Sequence, residues 1–312
     1  MHRMRQLDVL RALAALLVAI CHYRHAFPEI VANVLEKFGD YGVFIFFVIS
    51  GYIIPRVMTS SGYRFTRIHT FMAKRLVRLH PPYIFALLLT LTISAAAAHV
   101  RNIAYQWSWT DALQYLFYTA IPNENPVFWT LQVEWFYYAW IAIFYSAINS
   151  KSGATRVTVY LGATLTALWG ANHLPFFQYL GFFLIGITLE HAQRCPQERL
   201  ETAMKFMVSA SLAWYFSSFT GLVFAFLSCL TIAGLNNKTW PKFILFLGTI
   251  SYSFYLVHFP VGVKFLNLCL ARFPDIPPTL LFLGALTLSG LAAFILYKSV
   301  EEPSMYWASL KK

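Results

Sequence analysis

Charge is scarce in this chain, and acidic side chains are the scarcest: 13 aspartates and glutamates stand against 24 lysines and arginines. Only 12% of the 312 residues are charged, which is about half the usual share in soluble domains. Hydrophobic residues make up 58%, and so few charges cannot solvate the surface of a water-soluble globule. The composition predicts an all-α polytopic membrane protein, with residues 1–312 forming a single integral membrane domain.

Cysteine is also sparse. The four cysteines are Cys21, Cys195, Cys229 and Cys269, and their spacing matches neither a disulfide framework nor a metal site. No metal is therefore expected. The net charge of +11 is spread over segments between apolar runs rather than gathered in one basic domain. Membrane topology explains that spread, so no nucleic-acid partner is expected.

Long apolar runs fill most of the sequence. A helix needs about 20 predominantly apolar residues to cross a bilayer, and about ten windows meet this requirement. Residues 111–121 are apolar but short and contain Asp111 and Gln114, which predicts a re-entrant or interfacial segment rather than a further span. The windows are 7–27, 40–58, 81–99, 128–148, 157–172, 174–191, 206–220, 221–235, 243–265 and 279–299.

The distribution of cations predicts the orientation. An even number of spans places both termini on one side of the membrane. With the N-terminus in the cytoplasm, most of the 24 lysines and arginines fall in cytoplasmic loops or at cytoplasmic helix ends. This asymmetry is typical of membrane proteins, so both termini are expected to be cytoplasmic.

The first predicted helix carries ionisable side chains at membrane depth. At about 100° per residue, Arg11 and His22 share one face, and Asp8 and His25 fall near the same stripe. Burying such groups is costly, which favours a functional role, and a neutral histidine can take a proton from a hydroxyl near neutral pH. The alternative is that Asp8 and Arg11 pair at the cytoplasmic interface while His22 and His25 lie among the outer headgroups.

A basic segment without acids, residues 56–80, is predicted as a cytoplasmic loop after the second span. It contains six lysines and arginines. Arg75 and Arg78, one helical turn apart, could grip a phosphate group through their planar guanidinium groups. The alternative is a plain topology signal, with or without bound anionic lipid. The other candidate anion ligands are Lys74, Arg67 and Arg64.

Two further segments place candidate residues near the outer face. Glu134 lies one to two turns into a span that begins outside with Trp129, and His258 lies about 22 Å along a span that begins in the cytoplasm. His22 comes out at a similar depth, so His22, His258 and Glu134 are expected to share one wet cavity. An interfacial aromatic belt is the structural alternative for the second segment.

Five blocks keep a fixed order from one end of the chain to the other. They are Leu7-Asp8-x-x-Arg11 extending to His22, Gly42–Tyr52, Lys74–Arg78 with Pro81-Pro82-Tyr83, Trp129–Glu134 and Ile250–His258. Together they resemble the bacterial acyltransferase-3 family of integral membrane O-acyltransferases. Because the blocks span the chain in order, the resemblance is more specific than any one motif.

The resemblance implies a ten-helix domain in the bacterial inner membrane. Such a domain transfers an acyl group, most commonly acetyl, from cytoplasmic acyl-CoA to a sugar hydroxyl across the membrane, for example on lipopolysaccharide or exopolysaccharide. Arg11 and His22 resemble the first-helix pair of the family, Arg75 and Arg78 its arginine pair, and Glu134 its acidic residue. The chain departs from the family where Thr130 replaces a common serine and His80 a common tyrosine.

The resulting hypothesis makes His22 the general base on the acceptor hydroxyl, with Glu134 or Asp8 as a charge partner. His258, Trp129 and His25 are acceptor-site candidates. No cofactor is bound permanently, because acetyl-CoA or another acyl-CoA is the donor substrate. Expected partners are the acyl-CoA, the carbohydrate and the lipid bilayer, and glycan-synthesis proteins or a second copy of the chain are further candidates.

Three alternatives stay open at this point. A covalent acyl-enzyme through a serine, Cys21 or His22 is less favoured than direct transfer. The spacing of residues in the sequence does not indicate a set of nucleophile, base and orienting group. A proton-coupled transporter or flippase of a glycan precursor would use the same buried ionisable residues as a relay. An inactive scaffold in a glycan-synthesis complex is the third.

Overall fold

The structure is a computed structural model that describes residues 4–105, 107–235, 238–273 and 275–310. Helices form most of these ranges, and no strand occurs within them. The helices are α1 (Arg5–His22), α2 (Glu29–Glu36), α3 (Phe38–Ser60), α4 (Ile68–Val100), α5 (Trp109–Leu116), α6 (Trp129–Ile148), α7 (Gly153–Gly170), α8 (Pro175–Arg194), α9 (Arg199–Phe216), α10 (Phe219–Gly234), α11 (Lys242–Thr249), α12 (Ser251–Val257), α13 (Lys264–Arg272), α14 (Pro278–Leu296) and α15 (Glu302–Leu310).

The apolar windows of the sequence fall on these helices, and the all-α membrane class is confirmed for the described residues. Four helical stretches there are long and apolar enough to cross a membrane: Glu29–Ser60, Phe65–Val100, Ser251–Arg272 and Pro278–Leu310. The count of about ten spans and the cytoplasmic termini stay predictions.

The basic segment differs from the expected loop. The helix α3 continues to Ser60 and α4 already begins at Ile68, so Arg75 and Arg78 lie on a helix that runs through Pro81 and Pro82. Prolines are tolerated inside membrane helices where neighbouring groups satisfy the freed backbone. The carbonyls that lose their α-helical donors are those of Val77 and Arg78, four residues before each proline. The hydroxyl of Tyr252 donates to the next carbonyl, that of Leu79, 2.8 Å away. The helix α4 continues through both prolines, so the loop prediction was wrong for most of the segment.

The short segment near residues 111–121 is the helix α5, and none of its residues is buried. Ser108 caps it by accepting from the backbone N–H of Asp111, whose carboxylate accepts from the N–H of Ser108 in return. Such a capping box stabilises a short helix. Because a re-entrant segment must be buried in protein, the exposure of α5 favours the interfacial alternative.

The chain divides into two compact units. Unit 1 comprises the described residues of Met1–Ala14, Asp40–Met72 and Val133–Gly248, and unit 2 those of Ala15–Gly39, Ala73–Gln132 and Thr249–Lys312. Because each unit is assembled from three stretches, five of the described helices begin in one unit and end in the other: α1, α3, α4, α6 and α11. The prediction of a single domain stays a prediction.

Unit 1 is built around α8. Every residue from Leu180 to His191 is buried, and Phe183 stacks on Tyr137 of α6 with ring centroids 4.1 Å apart. Gly51 of α3 lies against the same helix: a Cβ there would stand 2.2 Å from the carbonyl oxygen of Phe183. A small residue is therefore required where α3 and α8 pack backbone to backbone, and this contact fixes the neighbouring part of α3.

Unit 2 contains the end of α1, the short α2 and α5, most of α4 and the C-terminal helices α12 to α15. Between α12 and α13 the chain forms a π-helix, His258–Val263, which contains Pro260. π-helical turns are rare and occur often at functional sites. This segment carries the histidine that the sequence singles out.

Candidate active site

A pair of histidines lies in unit 2. Nδ1 of His22, the last residue of α1, is 3.0 Å from Nε2 of His258, the first residue of the π-helix. His258 is fully buried, while His22 is partly exposed. The sequence predicted that His22 and His258 share a wet cavity with Glu134. The structure brings the two histidines into contact, and the shared cavity stays a prediction.

Hydrogen bonds fix where the protons of this pair lie. Nδ1 of His258 is 2.8 Å from the carbonyl oxygen of Tyr255, and because a carbonyl only accepts, this nitrogen carries the ring's hydrogen. In the neutral ring, Nε2 of His258 is then an acceptor, so the hydrogen of the His22–His258 bond belongs to Nδ1 of His22. The lone pair of the neutral His22 ring is therefore on its Nε2.

The backbone before His258 depends on a side chain. Pro260 has no N–H, so the α-helical hydrogen bond to the carbonyl of Leu256 cannot form. The buried side chain of Asn125 donates to that carbonyl at 3.3 Å and lies 3.3 Å from the hydroxyl of Thr90. The proline four residues after Leu256 is the signal in the sequence that a donor was needed there.

Glu134 lies in unit 1, on α6. Its Oε1 accepts a hydrogen bond from the hydroxyl of Ser50, 3.0 Å away, and a very short one from the hydroxyl of Tyr138, one turn further along α6. These two hydroxyl groups hold the Glu134 side chain in place. The expected meeting of Glu134 with the two histidines stays a prediction.

Asp8 and Arg11 form an ion pair within unit 1. Arg11 Nη1 lies 3.6 Å from Asp8 Oδ1, and the Asp8 side chain is only 9% exposed. This is the contact that the structural alternative for these residues predicts. The catalytic roles of Asp8 and Arg11 stay hypotheses, and the ion pair favours a structural role for both residues.

The candidate anion ligands fall into two groups. Lys74, Arg75 and Arg78 are half-buried residues of α4 in unit 2, and the first and last of them are four residues apart. Arg64 and Arg67 are exposed and belong to unit 1, just before α4. The two groups therefore differ in environment, and only the three residues on α4 are partly withdrawn from water.

The remaining acceptor-site candidates lie in unit 2. Trp129 begins α6 and is half-buried, whereas His25 is exposed on a short 3-10 turn, Arg24–Ala26, that follows α1. The departure at Thr130 is accommodated, because its buried hydroxyl lies 2.7 Å from the hydroxyl of Tyr255. A serine could make the same bond.

Sequence reasoning missed a buried ion cluster in unit 1. It had treated Arg156 and Lys205 as cytoplasmic topology signals, yet they are only 6% and 2% exposed. Arg156 donates to Glu201 at 2.7 Å and to Glu198 at 2.7 Å, and Lys205 pairs with Glu201. Nε2 of His191 lies 2.9 Å from Glu198. Two cations thus balance two carboxylates at the ends of α7, α8 and α9.

One group near this cluster has the composition of a metal site. Single ligand atoms of His191, Cys195 and Glu198 lie within 4.8 Å of one another. However, the carboxylate of Glu198 already accepts from Arg156, and Lys205 adds a second cation to the cluster. A divalent ion would meet two cations instead of excess negative charge, so the residues suit ion pairing better than metal binding.

Comparison with protein families gives the class of the protein. Residues 4–298 match the sequence model of the acyltransferase-3 family, described as an acyltransferase domain. The match covers nearly the whole chain, so the protein belongs to that family, as the order of its motifs had indicated. Comparisons with curated proteins and with solved structures gave no significant match. Together with its apolar helices, the family makes this protein a membrane acyltransferase.

Proposed function

We propose that this membrane acyltransferase moves an acetyl group from cytoplasmic acetyl-CoA to a hydroxyl of an extracytoplasmic or lipid-linked carbohydrate. The observation that carries the proposal is the contact between His22 and His258. Its proton arrangement leaves the Nε2 lone pair of His22 as a base, with His258 as the group that orients it. The family match favours acyl transfer over the transporter or flippase alternative.

The chemistry follows from this arrangement. Nε2 of His22 takes the proton of the acceptor hydroxyl, while the oxygen of that hydroxyl attacks the carbonyl carbon of the thioester. Collapse of the tetrahedral intermediate breaks the carbon–sulfur bond, and the thiolate of CoA leaves and takes the proton. When His22 is protonated, its Nδ1–H donates to Nε2 of His258, and this charge-assisted bond stabilises the imidazolium. His258 thus acts as an orienting partner rather than as an acceptor contact.

The donor site is proposed on α4. Arg75 and Arg78 are one turn apart on the same helix, so both guanidinium groups can reach one nucleotide phosphate, and Lys74 adds a point charge beside them. Arg64 and Arg67 remain candidates for outer phosphate contacts. We place this site at the cytoplasmic surface, in a protein of about ten spans with both termini in the cytoplasm of a bacterial cell.

Mass spectrometry of surface glycans tests the proposal directly. Glycans from cells with and without the gene are compared, and complementation with the wild-type gene restores the difference. Loss of an acetyl group in the deletion strain supports the proposal, and loss of a succinyl group changes only the donor. Identical glycans in both strains, with the protein present in the membrane, would overturn it.

A further inference from the structure

A buried tyrosine contacts the same residue as the proposed base. Tyr23 follows His22 directly and is completely buried. Its hydroxyl lies 3.1 Å from the carbonyl oxygen of His258 and 2.7 Å from the hydroxyl of Ser289 on α14. Two consecutive residues of the chain therefore hold His258, one through the ring and the other through the backbone.

The direction of these hydrogen bonds is determined. The carbonyl of His258 can only accept, so Tyr23 donates its single hydroxyl hydrogen to it. The oxygen of Tyr23 then accepts the hydrogen of Ser289, which is also completely buried. An ordered chain runs from Ser289 through Tyr23 to the backbone of His258, and it contains no ionisable group that would have to change charge near neutral pH.

Gly262 leaves space for the hydroxyl groups of Tyr23 and Ser289. A Cβ on Gly262 would lie 2.0 Å from the hydroxyl oxygen of Tyr23 and 2.5 Å from that of Ser289. Gly262 belongs to the π-helix that begins at His258. Any larger residue at position 262 would displace the hydroxyl groups, so the π-helix and the two hydroxyl side chains fit together as one arrangement.

We propose that Tyr23 and Ser289 are positioning residues for the histidine pair. They hold the backbone of His258 so that its Nε2 faces Nδ1 of His22, and through it the lone pair of His22 faces the acceptor. The proposal rests on the proposed function of His22 as general base. A hydrogen bond weakens steeply once its atoms move outside the narrow range of favourable distance and angle. The backbone at residue 258 begins a π-helix, a rare and irregular form of helix.

The main test is Tyr23→Phe, which removes the hydroxyl and keeps the ring that packs edge-on against Phe282. Initial rates of incorporation are measured in membrane vesicles of the producing cells, with radiolabelled acetyl-CoA as the donor probe. The expected result is a fall in kcat of about 10- to 100-fold, the range for a misplaced catalytic group. The KM for acetyl-CoA should stay unchanged, because donor binding is not touched.

The matched control is Tyr160→Phe in unit 1. Tyr160 is also a buried tyrosine, and its hydroxyl lies 2.9 Å from that of Thr188. Its removal should cost a comparable amount of stability and leave kcat per folded molecule at the wild-type level. An equal fall in kcat in both variants would overturn the proposal, because any buried hydroxyl would then have the same effect.

Ser289→Ala is the second variant, and it decides the question if Tyr23→Phe does not reach the membrane. It keeps the bond from Tyr23 to the carbonyl and removes the donor behind it, so a smaller fall in kcat at constant KM is expected. Wild-type kcat in every variant that reaches the membrane would overturn the proposal. His22→Ala in the same assay separates the two hypotheses: if it is active, the proposed base is wrong, whereas if it is inactive and Tyr23→Phe is fully active, only the positioning proposal fails.

Discussion

The histidine pair of unit 2 and the ion cluster of unit 1 both withdraw ionisable side chains from water, but they complete their interactions differently. In the cluster, Arg156 and Lys205 balance Glu198 and Glu201, so every charge meets an opposite one. In the pair, the hydrogen bonds are ordered in one direction and end on the lone pair of His22. A set of closed interactions contributes to stability, whereas a set that ends on a lone pair can react.

The largest expected effect is that of His22→Ala on activity. Removing a general base should lower acylation by about 10²- to 10⁴-fold, while the protein inserts at normal abundance because His22 ends a helix and is only partly buried. Glycan acylation and membrane abundance are measured together. His25→Ala is the control, since His25 is exposed and should be tolerated. Near-normal acylation by well-expressed His22→Ala protein would refute the assignment.

Arg156→Ala should have the opposite effect: it should lower stability and leave activity unchanged. It leaves the partly buried carboxylates of Glu198 and Glu201 short of a cation, which should cost about 3 kcal/mol of unfolding free energy. The unfolding temperature of the protein in detergent measures the loss, and the rate per folded molecule should not change. Lys298→Ala is the matched control, because its ion pair with Glu302 is exposed and should contribute little. Equal stability of the two variants would show that the cluster is not a stabilising element.

The double variant of Arg75 and Arg78 to alanine tests whether α4 binds the donor. Loss of hydrogen bonds to charged phosphate should raise the KM for acetyl-CoA by about 10- to 100-fold, whereas kcat at saturation should change little. The double lysine variant should recover only part of the affinity, because a point charge lacks the planar fork of a guanidinium group. An unchanged KM in the alanine variant would leave these residues as topology signals.

Glu134→Gln should have the smallest effect of the four. Glutamine keeps the shape and one acceptor oxygen for Ser50 and Tyr138, but it loses the charge that strengthens both bonds. A fall in kcat of about tenfold or less is expected, since charge-assisted hydrogen bonds are roughly twice as strong as neutral ones. Full loss of activity would show that Glu134 takes part in the chemistry directly, and would place it beside His22 in importance.

The helical framework could be predicted because apolar length and helical rise are local properties. Counting residues along two helices was enough to bring His22 and His258 to one depth, and the motif order was enough to give the family. The local sequence misled at the basic segment. Residues 56–80 were predicted as a loop, yet α3 continues to Ser60 and α4 begins at Ile68 and runs through Pro81 and Pro82.

Pairing between helices could not be predicted in the same way. Arg156 and Lys205 looked like ordinary cytoplasmic cations, because nothing in their local sequence shows that Glu198 and Glu201 come to meet Arg156 from another helix. The chain Ser289–Tyr23 was equally hidden, since a serine in an apolar helix is usually bonded to its own backbone. Pro260 did give a local warning, because a proline inside a helical run leaves a carbonyl to be satisfied.

The π-helix at His258–Val263 has a consequence for how the sequence can vary. A π-turn holds one residue more than the α-helical turn it replaces, so this segment depends on an exact residue count as well as on composition. Deleting one apolar residue such as Val261 would leave the hydropathy of the run almost unchanged, yet it would rotate everything after it by about 100° relative to His258. The hydropathy of such a chain would still indicate an intact membrane segment. However, the helical register that places Gly262 against Tyr23 would be lost.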